Sequence, residues 1–77
     1  MKSVKVYLDT IDRVKGFVSV VSICDGDFDL SSGRYVVDAK SIMGIFSLDL
    51  SKTLTLNIHN DDVADKVIPQ LKAFEPQ

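Results

Sequence analysis

Hydrophobic and polar residues alternate along four stretches of the chain, a pattern typical of strands that are buried on one face. Ser31-Ser32-Gly33 separates the second stretch from the third and indicates a tight turn, so these two strands should form a hairpin. The fourth stretch has the clearest alternation, with Leu54, Leu56 and Ile58 against threonine, asparagine and histidine. The predicted strands cover residues 3–8, 27–32, 34–38 and 53–59.

Apolar residues at spacings of three and four predict three helices. Asp9 or Thr10 can cap the first helix, Ser41 the second and Asn60 the third. Pro69 should kink or shorten the third helix, because proline removes an intrahelical hydrogen bond. The buried side of the first helix is expected to hold Ile11, Val14, Phe17, Val18 and Val21. The helices are predicted at residues 10–23, 41–47 and 61–72.

The predicted order is strand, helix, strand, strand, helix, strand, helix. Short connections between elements of this kind favour an α+β fold, in which helices cover one face of a four-stranded, mostly antiparallel sheet. The length of 77 residues allows one small domain, over residues 1–77.

Composition restricts the function further. The formal net charge of −2 is too small to indicate nucleic acid or an anionic membrane as a direct partner. A single cysteine, Cys24, excludes an internal disulfide and fits a reducing compartment. The amino-terminal residues alternate in polarity, unlike a signal peptide, and no segment reaches the ~18 apolar residues of a membrane span. We therefore expect a cytoplasmic protein.

Residues for common catalytic and metal sites are scarce. One histidine and one cysteine exclude the usual zinc sites, and no glycine-rich phosphate loop is present, so neither a metal nor a cofactor is expected. His59 falls on the polar face of the fourth strand and is interpreted as an ordinary strand-end residue. Asp25, Asp27 and Asp29 could hold a hard cation, but a solvated acidic face is the favoured interpretation.

The segment Lys40–Leu48 (KSIMGIFSL) resembles HPr, the phosphocarrier of the bacterial phosphoenolpyruvate-dependent sugar phosphotransferase system. That family carries Lys-Ser-Ile-Met-Gly-(aliphatic)-Met-Ser-Leu at this point, so the main difference is Phe46. The order of elements is also that of HPr, which extends the resemblance, more weakly, over most of the chain. The resemblance implies an open-faced β-sandwich with four antiparallel strands and three helices on one side (βαββαβα).

The chain departs from HPr where the family carries Gly-(Ile/Leu)-His-Ala-Arg-Pro, the segment with the phosphocarrier histidine. The corresponding residues here are Leu8–Arg13, and Thr10 stands at the position of the histidine. A threonine phosphoester is stable and would not pass its phosphoryl group on readily. Asp9 and Asp12 would also repel phosphate, which Arg13 offsets in part. We therefore expect no catalytic residue and no carrier activity of the ordinary kind.

Ser41 corresponds to the serine that a dedicated HPr kinase phosphorylates in Gram-positive HPr proteins. The phosphorylated form acts there as a corepressor with a catabolite-control regulator, and the related Crh proteins keep this serine without the histidine. The resemblance therefore implies that Ser41 is a regulatory phosphorylation site. A phosphate at the start of a helix would be favoured by the backbone N–H groups. The alternative is that Ser41 is only the helix cap.

The second helix is too short to bury all its apolar residues on one side. Ile45 and Leu48, three residues apart, are the expected core residues, whereas Met43 and Phe46 should be substantially exposed. The predicted partner-binding residues are Lys40, Ile42, Met43 and Phe46, and the resemblance implies enzyme I as one partner of this surface.

Three hypotheses for the function remain at this point. The favoured one is a binding and regulatory protein of HPr type without carrier catalysis. A second is a divergent phosphoryl carrier that accepts phosphate on Thr10 or His59, and a third is a relic of the fold that serves only self-association.

Overall fold

The computed structural model describes residues 1–76 and contains the elements that the sequence predicts. Their types and order confirm the α+β fold with a four-stranded antiparallel sheet. In chain order the elements are β1 (Lys2–Val6), α1 (Ile11–Ser22), β2 (Phe28–Ser32), β3 (Tyr35–Asp38), α2 (Ile42–Phe46), β4 (Leu54–Ile58), α3 (Asp61–Val67) and a 3₁₀ helix, η1 (Ile68–Phe74).

The strands are arranged in the order β1-β4-β2-β3, and all neighbours are antiparallel. Strand β4 is central, since it pairs with β1 on one side and with β2 on the other. β2 and β3 form the predicted hairpin, whose turn contains Gly33 with a φ of 59°. Strands β1 and β3 are the two edges of the sheet.

One face of the sheet carries the core and the other is polar. Register places Leu30, Leu56 and Val4 side by side on the face that the helices cover. The next positions along the strands, Asp29 and Asn57, lie on the open face. Buried apolar residues from every strand except β3, together with residues of the helices, fill the space between the two layers. The protein thereby has the predicted open-faced architecture.

Two helix predictions need correction or refinement. α3 ends at Val67, and the chain continues as η1 with Pro69 near its start, so proline shortens the α-helix as expected. The prediction that Ile11 is buried is wrong, because this side chain is 60% exposed. Ile11 lies roughly 60° around the helix from Val14, on the side away from Phe17, and therefore at the margin of the buried side.

Within residues 1–76, no helix is both long and apolar enough to cross a membrane.

Candidate functional site

Thr10 is held at the amino terminus of α1 as its cap. Its backbone is extended, and its side-chain oxygen accepts the N–H of Arg13 at 3.1 Å. The Thr10 carbonyl oxygen also accepts the N–H of Val14, the first bond of the helix. Thr10 therefore has a complete structural role at the position where the resemblance to HPr expects a phosphocarrier histidine.

The cation nearest to Thr10 in sequence is engaged within the fold. Arg13 Nε donates to the carbonyl oxygen of Tyr7 at 2.9 Å and lies 3.3 Å from a carboxylate oxygen of Asp9. The guanidinium carbon also lies 5.8 Å from the centre of the Phe74 ring, within the range of a cation–π contact. Asp12 adds a second carboxylate in the first turn of α1. Near Thr10, therefore, the Nε atom of Arg13 is already bonded, and Asp9 and Asp12 add negative charge, which disfavours an incoming phosphate.

His59 lies at the opposite end of the sheet from Thr10. The first residue of β4, Leu54, pairs with Val6 near the start of α1, whereas His59 follows the last residue of β4. The five residues of β4 span about 17 Å at ~3.4 Å per residue. The structure therefore does not bring His59 to the Thr10 site.

His59 is partnered by an acidic residue on the open face. Its Nε2 atom lies 2.6 Å from a carboxylate oxygen of Asp29, and its backbone N–H donates to the carbonyl oxygen of Asp27. Asp29 is half-buried in this arrangement and Asp27 is exposed. Over the described part of the chain, no group of three or more histidine, cysteine or acidic residues is placed to hold a metal ion.

Ser41 caps α2, as the sequence predicts. Its backbone is extended, and its Oγ atom accepts the N–H of Gly44 at 3.2 Å. The residue is half-buried rather than fully exposed to solvent. The helix has five residues, a length of about 7.5 Å, and is shorter than the predicted 41–47. The favourable field for a phosphate at Ser41 is therefore weaker than a longer helix would supply.

The ammonium group of Lys40, the residue before Ser41, is bound to the loop after α1. Its Nζ atom donates to the carbonyl oxygens of Cys24 and Gly26, at 2.7 and 3.1 Å. It also lies 5.4 Å from the centre of the Phe28 ring. Lys40 thus joins the start of α2 to the loop after α1, and its predicted role in partner binding remains untested.

The side chains of α2 divide as predicted, with one exception. Met43 and Phe46 are 76% and 42% exposed, while Ile45 and Leu48 are buried in the core. Ile42, predicted nearer the surface, is partly buried and packs against the core. We refer to the exposed side chains of Met43 and Phe46 as the α2 apolar surface.

Two further features complete this region. Gly44 allows α2 to approach the sheet closely, since a Cβ atom at this position would lie 3.3 Å from Cβ of Val37. Helix α1 contacts α2 and begins with the exposed Ile11. The sequence interpretation missed Ile11 as a surface residue, although its angular position on the helix could have revealed it.

The similarity of this chain to known proteins is found in its structure. No protein-family model matches the sequence, and no curated protein matches it significantly. Among solved structures, the chain is similar to the crystal structure of HPr-C-His from Thermoanaerobacter tengcongensis, with a TM-score of 0.75 and 22% sequence identity. The match covers 95% of this chain and 93% of that chain. At this identity the similarity establishes the architecture, and the chain has the fold of HPr.

Proposed function

We propose that this chain is a regulatory and binding protein of the phosphoenolpyruvate-dependent sugar phosphotransferase system, without phosphohistidine transfer. The observation that carries the proposal is the exposure of Met43 and Phe46 on α2, within the segment that most resembles HPr. Exposed apolar side chains of this size favour contact with a partner protein.

The surroundings of Thr10 support the absence of carrier chemistry. Rapid transfer of a phosphoryl group requires a nucleophile that forms a labile bond, and a threonine ester is stable. Thr10 is occupied as a helix cap, and the adjacent Arg13 is bound to Tyr7 and Asp9. His59 is an equally poor acceptor for an HPr-type reaction, because it lies at the far end of β4 and is paired with Asp29.

Ser41 is the proposed point of regulation. Its half-buried hydroxyl lies two residues from Met43, at the start of the helix that carries the α2 apolar surface. A phosphate would add nearly two negative charges there at neutral pH, while the ester oxygen could still accept the N–H of Gly44. Modification would thus change the charge next to the binding surface and alter which partners it accepts. The proposed partners are enzyme I, HPr kinase and a catabolite-control regulator.

Incubation with enzyme I and phosphoenolpyruvate, followed by intact mass measurement, tests the absence of carrier activity. We expect no gain in mass under conditions in which an ordinary HPr is labelled in the same tube. An acid-labile phosphate on this chain would contradict the proposal and would favour a divergent carrier. Thr10→Ala and His59→Gln variants would then identify the accepting residue.

Treatment with HPr kinase and ATP tests the regulatory part. We expect one phosphate on the wild-type chain, none on Ser41→Ala, and unchanged labelling of Ser47→Ala, which removes a nearby exposed serine. If the chain stays unmodified while an ordinary HPr is labelled alongside it, Ser41 is a helix cap and the regulatory proposal fails.

A binding measurement tests the consequence of modification. Ser41→Asp should change the affinity for enzyme I or the regulator by about tenfold, which corresponds to ~1.4 kcal/mol. Met43→Ser should weaken the same complexes, whereas Lys15→Ser, on an exposed position of α1, serves as the control. Equal affinities for all these variants would exclude the α2 apolar surface as the binding site.

A further inference from the structure

Lys40 connects the start of α2 to the α1–β2 loop, residues 23–27. Its Nζ atom donates to the carbonyl oxygens of Cys24 and Gly26, at 2.7 and 3.1 Å. The same atom lies 5.4 Å from the centre of the Phe28 ring. All these contacts are made by one half-buried side chain with a flexible stem. The position of the two loop carbonyl groups therefore depends on where the ammonium group binds.

Other backbone hydrogen bonds hold the two ends of the α1–β2 loop. The N–H of Cys24 donates to a carbonyl oxygen in the last turn of α1 at 3.2 Å. At the other end, the carbonyl oxygen of Asp27 accepts the N–H of His59 at 3.1 Å. Asp25 lies between these ends and is exposed. Loss of the two Lys40 bonds would therefore free the middle of the loop and leave its ends in place.

The start of α2 already contains a negative charge. A carboxylate oxygen of Asp38 accepts the backbone N–H of Lys40 at 2.9 Å. Helix α2 has only five residues, so few peptide dipoles are aligned to offset further negative charge. Within the sequence from residue 38 to residue 46, Lys40 has the only cationic side chain. A phosphate on Ser41 would thus have Asp38 as a neighbour of like charge and Lys40 as its adjacent counter-ion.

The ammonium group of Lys40 can reach a phosphate on Ser41. The Cα atoms of adjacent residues lie ~3.8 Å apart, and lysine carries its charge at the end of a four-carbon stem. A phosphate at neutral pH carries nearly two full charges, whereas the loop carbonyl groups are neutral dipoles. At equal distance, the ammonium group is attracted more strongly to the full charge.

We propose that a phosphate on Ser41 draws the Lys40 ammonium group away from the two loop carbonyl groups and so releases the middle of the α1–β2 loop. This inference rests on the proposed modification of Ser41 and extends its effect to a second surface. The released segment contains the exposed Asp25 and follows Ile23, whose side chain is 80% exposed. Lys40 is thus a positioning residue that couples the state of Ser41 to the shape of this loop.

Amide chemical shifts of the full chain, measured by NMR, test whether Lys40 positions the loop. The N–H groups of Asp25 and Asp27 directly follow the two carbonyl groups that Lys40 binds. Lys40→Met removes the charge and keeps an unbranched side chain, so both amide signals should shift. Lys15→Met makes the same replacement at an exposed position of α1 and should leave them in place. If thermal unfolding shows that Lys40→Met does not fold, Lys40→Gln replaces it.

A full chain with phosphoserine at position 41 tests the coupling itself. It can be prepared by chemical synthesis, with residues 1–23 and 24–77 joined at Cys24, the one cysteine of the sequence. This sample does not depend on a kinase. Failure of HPr kinase to modify Ser41 would therefore contradict the proposed function without deciding whether a phosphate moves Lys40.

The phosphorylated chain should resemble Lys40→Met in the loop. If Lys40 prefers the phosphate by about tenfold, the amide signals of Asp25 and Asp27 should move roughly nine-tenths of the way to their Lys40→Met positions. Phosphoserine in the Lys40→Met chain should move them no further. Amide hydrogen exchange of His59, which bonds to the anchored end of the loop, should be equal in all samples, because the release is local.

Three results would overturn the proposal. Loop signals that Lys40→Met leaves unchanged would show that Lys40 does not position the loop. Loop signals that phosphoserine leaves unchanged would show that Lys40 stays on the carbonyl groups. An equal shift on phosphorylation with and without the Lys40 ammonium group would show that the phosphate acts on the loop by another route.

Discussion

Replacing Ser41 with alanine should lower the free energy of unfolding by about 1 kcal/mol. The Ser41 Oγ atom accepts the N–H of Gly44 at 3.2 Å, and alanine would leave that donor without its side-chain partner. Loss of a serine cap costs roughly 0.5–2 kcal/mol in proteins. Ser41 is half-buried, so water can replace the bond only in part, and the expected loss lies near the middle of this range.

The change is large enough to measure by thermal and urea unfolding. For a domain of this size, 1 kcal/mol corresponds to a fall of roughly 4–8 °C in Tm. Ser41→Asp should stay within about 1 kcal/mol of the wild type, because aspartate is also a good cap and its charge suits a helix amino terminus. Ser19→Ala, at an exposed position inside α1, is the matched control and should not destabilise the protein.

A Ser41→Ala variant that unfolds at the wild-type urea concentration with an unchanged slope would show that the Ser41 cap does not stabilise the fold. A Ser41→Asp variant as unstable as Ser41→Ala would show that α2 does not tolerate negative charge at its start. In that case a phosphate on Ser41 would act by disrupting α2 rather than by changing the charge of its surface.

Three further predictions concern other parts of the chain. Met43→Ser should change the free energy of unfolding by no more than about 0.5 kcal/mol, whereas Ile45→Ala should cost about 2–5 kcal/mol, in urea titrations of both variants. Gly33→Ala should cost about 1 kcal/mol by the same measurement, because residue 33 has a φ of 59° that alanine adopts poorly. The hydrogen bond from Ser51 lowers the pKa of Asp49, so this carboxylate stabilises the fold above its ordinary pKa and ceases to do so as the pH falls through the lowered value. An NMR titration of Ser51→Ala should return the pKa of Asp49 towards its ordinary range, and an unchanged pKa would contradict this cause.

The strands and helix caps were predictable because local chemistry determines them. Alternation in β4 requires one face to be buried, and Thr10, Ser41 and Asn60 each satisfy free N–H groups at a helix start. The shortening of α3 at Pro69 has an equally local cause. Each of these features leaves a pattern in neighbouring residues, and the sequence could therefore predict them.

The sequence was insufficient where contacts between residues distant along the chain determine the position of a side chain. The ammonium group of Lys40 bonds to carbonyl groups of Cys24 and Gly26, which no pattern around Lys40 indicates. Ile42 packs against the core because α2 lies close to β3, an approach that depends on Gly44 and Val37. The sequence therefore located Lys40 and Ile42 at the start of α2, but their contacts required the three-dimensional structure.

The proposed function assigns no phosphoryl transfer to the start of α1 and partner binding to α2, and these two regions have different structural requirements. The start of α1 requires only a side-chain oxygen that accepts a backbone N–H, and Thr10 supplies it without any reactive group. The core beneath α2 is filled by Ile45 and Leu48, and Met43 and Phe46 lie outside it. Exposed apolar side chains that add little to packing promote unwanted association. The proposed function assigns the exposure of Met43 and Phe46 to partner binding.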